Sequence, residues 1–215
     1  MNRPSNEPEF WWISGRAASG KSTLVKIATE ACSRAGIQTQ NLCDEKFMLQ
    51  IIGEDINHEH HYHPDNDEKF LFKSGYPFNE GIRRISEECK RQLDLAHTKP
   101  MVAIIELARG KTGATLDFSF QKAFSLIDPV VINHSSFIYV RARWEAQLER
   151  NRQRRSDGLP HPPDELMQEM YSDDDINEIS KIHPFSVIEN NGSVDEFVAT
   201  INDTVSKRIQ KLLIG

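Results

Sequence analysis

The eight residues "GRAASGKS", Gly15 to Ser22, restrict the fold of this chain more than any other stretch, and they follow directly on the apolar run "EFWWIS". Gly15, four residues, Gly20, Lys21 and Ser22 reproduce the spacing of a phosphate-binding P-loop, the Walker A motif. The residue types answer to the chemistry. Glycines let the backbone curl closely around phosphate oxygens with successive N–H groups pointing inward, which makes Gly15, Ala17, Ala18, Ser19, Gly20, Lys21, Ser22 and Thr23 a candidate nucleotide-binding set. A helix beginning near Lys21 adds the positive end of its dipole. Lys21 is expected to reach the β- and γ-phosphates, and the Ser22 hydroxyl to ligate magnesium. The flanks agree: "KSTLVKIATEACSRAG" repeats apolar residues at Leu24, Val25, Ile27, Ala28, Ala31 and Cys32 with a helical period, and Gly36 closes it. A Gly/Ser-rich turn that matched by chance would lack this order of strand, loop and helix.

A length of 215 residues suits one α/β domain with room for an inserted lobe. The formal charge of −6 argues against a general electrostatic grip on nucleic acid, so no such partner is expected. No apolar run approaches membrane-spanning length, and "MNRPSNEPEF" lacks a signal-peptide core, so no membrane association is expected. Three cysteines, Cys32, Cys43 and Cys89, have no CxxC spacing, and a reducing, cytoplasmic setting is the expectation.

Strands and helices alternate along the chain. "IQTQNLC" reads as a second strand and "DEKFMLQIIG" as a short helix, followed by the polar stretch "EDINHEHHYHPDNDEK". "PFNEGIRRISEECKRQLDLAH" is an amphipathic helix with Ile82, Ile85, Cys89, Leu93 and Ala96 on one face. "PMVAIIEL" is a buried strand, and "SSFIYVRA" and "PFSVIEN" are two more. Between them, "RWEAQLERNRQRRSDG" reads as a helix running into a basic loop; the final helix begins with a capping box, Ser193 and Glu196.

Such alternation predicts a parallel sheet with helices on both faces, whose ligands gather at the carboxyl ends of the strands. The polar residues at those ends are few. They are the P-loop, then Asp44, then Glu106 and Arg109, then Arg141 and Arg143, then Asn190, Asn191 and Gly192. These charges suit phosphoryl transfer.

On these motifs the chain resembles the P-loop kinases of nucleotides and small molecules, a superfamily that includes adenylate, thymidylate, shikimate, gluconate and deoxynucleoside kinases. The resemblance runs from Phe10 to about Ile209, and "IIELARG" further resembles a bacterial group carrying Glu-x-Ala-Arg after the third strand. It implies a five-stranded parallel sheet of order 2-3-1-4-5, ATP and magnesium as cofactors, and a small-molecule acceptor. It also implies an acceptor-binding lobe over residues 45–98 and a mobile, Arg-rich lid over residues 150–175.

In that lid "ERNRQRRSDGLPHPPDE" brings Arg150, Arg152, Arg154 and Arg155 together. Arginines closing over a transferring phosphoryl group would stabilise its spread charge, a role the resemblance gives first to Arg154 and Arg155. Arg150 or Arg152 would meet the ATP, stacking on the adenine. A solvated basic helix end is the alternative. Asp44 stands where similar kinases carry the carboxylate that takes the acceptor's proton, and an Asp there would also cap the helix that follows. Glu106 would hold magnesium through water or bind acceptor hydroxyls; no Walker B aspartate stands beside it. Arg109 would bind an anionic group of the acceptor, or form a buried ion pair with Glu106. Asn191 and Gly192 in "ENNGS" would edge the adenine, or merely turn the chain.

The run "HEHHYHPD" offers His58, His60, His61 and His63 with Glu59 and Asp65, but its spacing fits no standard zinc pattern, and a polar acceptor-lobe loop is the plainer reading. Tyr62, Phe70, Phe72, Tyr76 and Phe78 line the acceptor pocket or pack its core. The chain is thus expected to be an ATP-dependent kinase of a small-molecule hydroxyl or phosphate. Two other classes stay open: an NTP-hydrolysing switch, although no DxxG or NKxD motif supports it, and a kinase of a nucleic-acid end or other macromolecule.

Overall fold

The computed structural model describes residues 7–57, 59, 61–62, 71–72, 74–110, 117–158 and 162–214. Its organising element is the first strand, β1 (Glu9–Gly15), which is apolar on both faces. Phe10 and Trp12 point to one side and Trp11 and Ile13 to the other, and all four are 0% exposed. Each side chain buried to that degree contributes about 1.5–3 kcal/mol relative to exposure. A strand that buries both faces belongs at the centre of a covered sheet.

The chain continues through α1 (Lys21–Arg34), β2 (Gln38–Cys43), α2 (Asp44–Glu54), a two-stranded antiparallel pair β3 (His61–Tyr62) and β4 (Leu71–Phe72), and α3 (Tyr76–Leu93). Then come β5 (Met101–Ala108), α4 (Phe120–Ser125), α5 (Pro129–Asn133), β6 (Ser135–Arg141) and α6 (Trp144–Ser156). The chain then runs through α7 (Asp164–Tyr171), α8 (Ile176–Ile179), β7 (Phe185–Glu189) and α9 (Val194–Ile214). Five strands form one parallel sheet in the order β2-β5-β1-β6-β7. Counted along the chain, that is the expected order 2-3-1-4-5.

Side-chain alternation sorts the two faces. Trp12, Ala103, Ile105, Leu107, Phe137 and Tyr139 meet α3, α4, α5 and α8 on one side. Trp11, Ile13, Val102, Ile104, Ile138 and Val140 meet α1 and α9 on the other. The edge strands tolerate polar residues: Gln38 and Asn41 of β2 and Ser186 and Glu189 of β7 are exposed. In α3 the expected face buries Ile82, Ile85 and Cys89, but the helix stops at Leu93, and Ala96 lies beyond it, exposed. The capping box forms as expected: Glu196 N–H donates to Ser193 Oγ at 3.3 Å, and Ser193 N–H donates to Glu196 Oε2 at 2.8 Å.

Four elements had no counterpart in the sequence reading: β3, β4, α7 and α8. The last two are short, and tertiary contacts hold them. Asp175 accepts from the N–H groups of Phe120 and Gln121, at 2.8 Å each, and so ties the start of α8 to the start of α4. Among the described residues no helix is long and apolar enough to cross a membrane.

Candidate functional site

The P-loop, Asp44, Glu106, Arg109 and the Asn190–Gly192 turn lie at or just after the carboxyl ends of the parallel strands, whereas Arg150, Arg152, Arg154 and Arg155 all lie on α6, which continues through the stretch expected to be a basic loop. The P-loop joins β1 to α1, and the left-handed backbone of Gly20 (φ 109°) reverses the chain into the helix. Only glycine fits there, because a Cβ would stand 2.4 Å from Asn190 Nδ2 and 3.1 Å from the Phe197 ring. Ala18, also left-handed (φ 56°), completes the turn.

Carbonyls of the loop are held from outside. Asn190 Nδ2 donates to the Ser19 carbonyl at 2.7 Å. Arg150 donates to the Asn190 carbonyl and Oδ1, both at 3.1 Å, with longer contacts of 3.5 Å to the Ala18 and Ser19 carbonyls. Arg16 reaches away from the loop to the carbonyls of Ser172 (2.9 Å), Tyr171 (3.2 Å) and Ala142 (3.3 Å), with its Nε 3.4 Å from Asp174. Carbonyls engaged outward leave N–H groups for the concave side. Among the described residues no acceptor takes the backbone N–H of Gly20, Lys21, Ser22 or Thr23. That is the donor set of an anion-binding nest at a helix start.

Lys21 is buried, and its Nζ donates to the Arg16 carbonyl at 2.9 Å. Burial pushes its pKa down; Glu106 and Asp44 oppose that, while Arg154 adds to it. Ser22 Oγ donates to Glu106 Oε1 at 2.9 Å. Glu106 lies on the sheet face shared with Val102 and Ile104, which faces α1. A hydroxyl beside a carboxylate at the head of the phosphate nest is the oxygen-donor chemistry that magnesium takes. The residues therefore fit the ion that the motif implies.

Asp44 opens α2, but its side chain makes no cap to that helix. Its Oδ2 accepts instead from the Ala108 N–H at 3.1 Å and from Arg109 Nη1 at 2.5 Å. The structure thus pairs Arg109 with Asp44, and not with Glu106. The guanidinium is 1% exposed and donates further to the carbonyls of Ala108 (2.6 Å) and Phe78 (3.0 Å). Phe118 and Phe78 cover it at 4.9 and 5.7 Å from their ring centroids. Asp44 is itself buried, yet among the described residues nothing bonds its Oδ1. Beside it, burial followed by Asp44 and Glu106 raises the Glu45 pKa, while Lys21 and Arg154 pull it down. The same carboxylates, after burial, raise the Cys43 thiol to about 11, which keeps it protonated.

The four arginines of the basic stretch have different partners. Arg150 braces the P-loop and the Asn190 turn. Arg152 and Arg155 both pair with Asp164 at the head of α7, at 2.9 and 3.3 Å. Arg154 makes no ion pair among the described residues, and its charge is felt at Lys21 and Glu45. In the turn after β7, Asn191 Oδ1 accepts from the Arg143 N–H at 2.7 Å, and Gly192 packs against Glu196, whose Oε2 a Cβ would meet at 2.4 Å. Phe78 packs with Phe118 and Met170 in a third apolar cluster, and Tyr76 is exposed. His58, His60, His63, Asp65 and Phe70 lie outside the described residues, as do the side chains of His61, Tyr62 and Phe72.

Several participants were not anticipated. Arg16 occupies a variable P-loop position, and nothing in the sequence marks it. Asn190 was visible only as a polar residue after a strand, and Asp164 only as part of "PPDEL".

No family model matches the chain, and no curated protein is similar to it. Solved structures are. APE1195 matches with a TM-score of 0.54 at 13% identity, over 96% of this chain and 95% of that one. The Mycobacterium tuberculosis APS kinase CysC, in complex with AMPPNP and APS, matches with a TM-score of 0.51 at 12% identity, over 98% of this chain and 99% of that one. At such identities the likeness is one of fold: the chain has the P-loop kinase fold.

Proposed function

We propose that this protein is an ATP-dependent phosphotransferase that moves the γ-phosphoryl group of Mg-ATP to a hydroxyl or phosphate of a small molecule, such as a nucleoside, a nucleotide or a sugar-like metabolite. One observation carries the reading. Asp44 has one carboxylate oxygen fixed by Arg109 and the Ala108 N–H and the other unbonded by any described residue, one strand away from the Ser22–Glu106 pair. A carboxylate so placed can orient an acceptor hydroxyl and take its proton, which is the role a transferase needs filled. The fold match to a kinase solved with AMPPNP supports ATP as the donor.

In this reading the P-loop N–H groups and Lys21 cradle the β- and γ-phosphates. Ser22 and Glu106 would hold magnesium, which would supply positive charge to the phosphates. The acceptor oxygen bonds to the γ-phosphorus as the bond from phosphorus to the β,γ-bridging oxygen breaks, ADP leaves, and the hydroxyl proton passes to Asp44 Oδ1. Arg154 approaches the transferring group, and Arg152 and Arg155 hold α7 through Asp164, so residues 150–175 act as the lid. Residues 45–98 form the acceptor lobe of a single domain, and Asn191 and Gly192 edge the base. The setting is cytoplasmic.

Asp44→Asn tests the assignment. Turnover should fall at least about 100-fold, the lower range for a lost general base, with affinity for ATP preserved. Equal turnover in wild type and variant, read as phosphorylated product by mass spectrometry, would remove Asp44 from the chemistry.

A further inference from the structure

The resemblance to nucleotide kinases assigns an arginine after the third strand to an anionic group of the acceptor. Here that arginine is sequestered. Arg109 is 1% exposed, and its guanidinium donates to Asp44, the Ala108 carbonyl and the Phe78 carbonyl. Phe118 and Phe78 close over it. Releasing it to a ligand would strand Asp44, whose side chain is 9% exposed, without its counter-ion.

Among the described residues, three carboxylates stand beside the P-loop on this side: Asp44 through Oδ1, Glu45 next to it at the start of α2, and Glu106 near the end of β5; the one basic neighbour in the first turn of α2, Lys46, is exposed. The cations that bear on Glu45 are Lys21 and Arg154, and both belong to the phosphate-donor side. Once Mg-ATP is bound, its phosphates take up those two charges and the metal offsets Glu106, so Glu45 and the open Oδ1 of Asp44 are left to set the potential of the acceptor half. Nearby basic side chains on α3 are already engaged, Arg84 with Glu54 at 2.6 Å and with Glu80, and Arg83 with Glu80.

We infer that this site selects a hydroxyl acceptor that is uncharged or positively charged, and disfavours phosphates, carboxylates and sulfates near the reacting hydroxyl. A polyol, a nucleoside or an amino-alcohol fits; a nucleoside monophosphate or a sugar acid does not. The inference rests on the phosphotransferase reading above and narrows it. Specificity of this kind comes from what the site repels as much as from what it attracts.

The test uses the full chain with Mg-AMPPNP and acceptors in matched pairs that differ in charge: adenosine and AMP, glucose and gluconate, glucosamine and glucose 6-phosphate. Calorimetry should give at least tenfold tighter binding for the neutral or cationic member. Glu45→Lys, checked for folding by circular dichroism, should cut that preference at least tenfold. Tighter binding of the anionic members, or no discrimination within any pair, overturns the inference. The same pairs incubated with Mg-ATP separate it from its premise. A charge preference in binding with no phosphorylated product from any compound counts against the kinase reading alone. Efficient transfer to AMP or gluconate over their neutral partners counts against the charge selection alone.

Discussion

At the scale of single residues the site is organised by one ion pair. Arg109 holds Asp44 Oδ2 at 2.5 Å inside a pocket closed by Phe118 and Phe78, and Oδ1 is bonded by no described residue. Taking one partner from a buried pair costs about 3–5 kcal/mol, because the other charge stays behind. Arg109→Ala should therefore lose roughly that much in urea unfolding. Arg109→Lys should keep part of the stability while turnover falls and ATP affinity holds, because one ammonium cannot replace three aligned donors. A lysine variant with wild-type turnover would show that Arg109 does not position Asp44. The individual residues were legible to different degrees. Lys21 and Ser22 stand in a motif whose spacing is itself the chemistry. Asp44 and Arg109 were visible as strand-end charges, but their partnership was not, since 65 residues separate them. Sequence order cannot tell which of two carboxylates a buried arginine will meet.

Elements carry the next level, and α7 shows how a weak sequence signal becomes fixed structure. It is eight residues long, with an apolar face of Met167 and Met170 too short to announce a helix on its own. What fixes it is contact: Asp164 at its head binds Arg152 and Arg155, and its last turn lies directly over Gly110. A Cβ on Gly110 would meet the Met170 carbonyl at 1.7 Å, so any larger residue must lift α7 away. Gly110→Ala should cost about 1–3 kcal/mol, as overpacking does. It should also speed amide hydrogen exchange across Asp164–Tyr171 while leaving α1 unchanged. Exchange that stays at the wild-type rate in α7 would mean that the contact does not hold the helix down. By contrast β1, β5 and α1 were readable in full, because unbroken apolar runs and a helical period depend on neighbours in the chain. β3 and β4, two residues each, leave no such pattern.

On the scale of the whole molecule, the order β2-β5-β1-β6-β7 puts the P-loop at the centre and Asp44 and Glu106 on its flank. The turn after β7 braces the loop from the other side through Asn190 and Arg150. Under the proposed function that geometry separates a donor half, rich in N–H groups and cations, from an acceptor half with the carboxylates of Asp44 and Glu45. The phosphate-binding part was written in one contiguous motif and the carboxylates were dispersed over two strand ends, which is why the nucleotide is easier to name than the acceptor. In the proposed reaction phosphoryl leaves ATP for a small molecule and not for water. The most direct measurement is a phosphorus NMR time course of the wild-type chain with Mg-ATP and a mixture of neutral and cationic hydroxyl compounds, with Lys21→Ala as the control. A new phosphate-ester resonance should grow as fast as ADP and be lost in Lys21→Ala. Inorganic phosphate as the sole product, at one rate whatever compound is present, would contradict it.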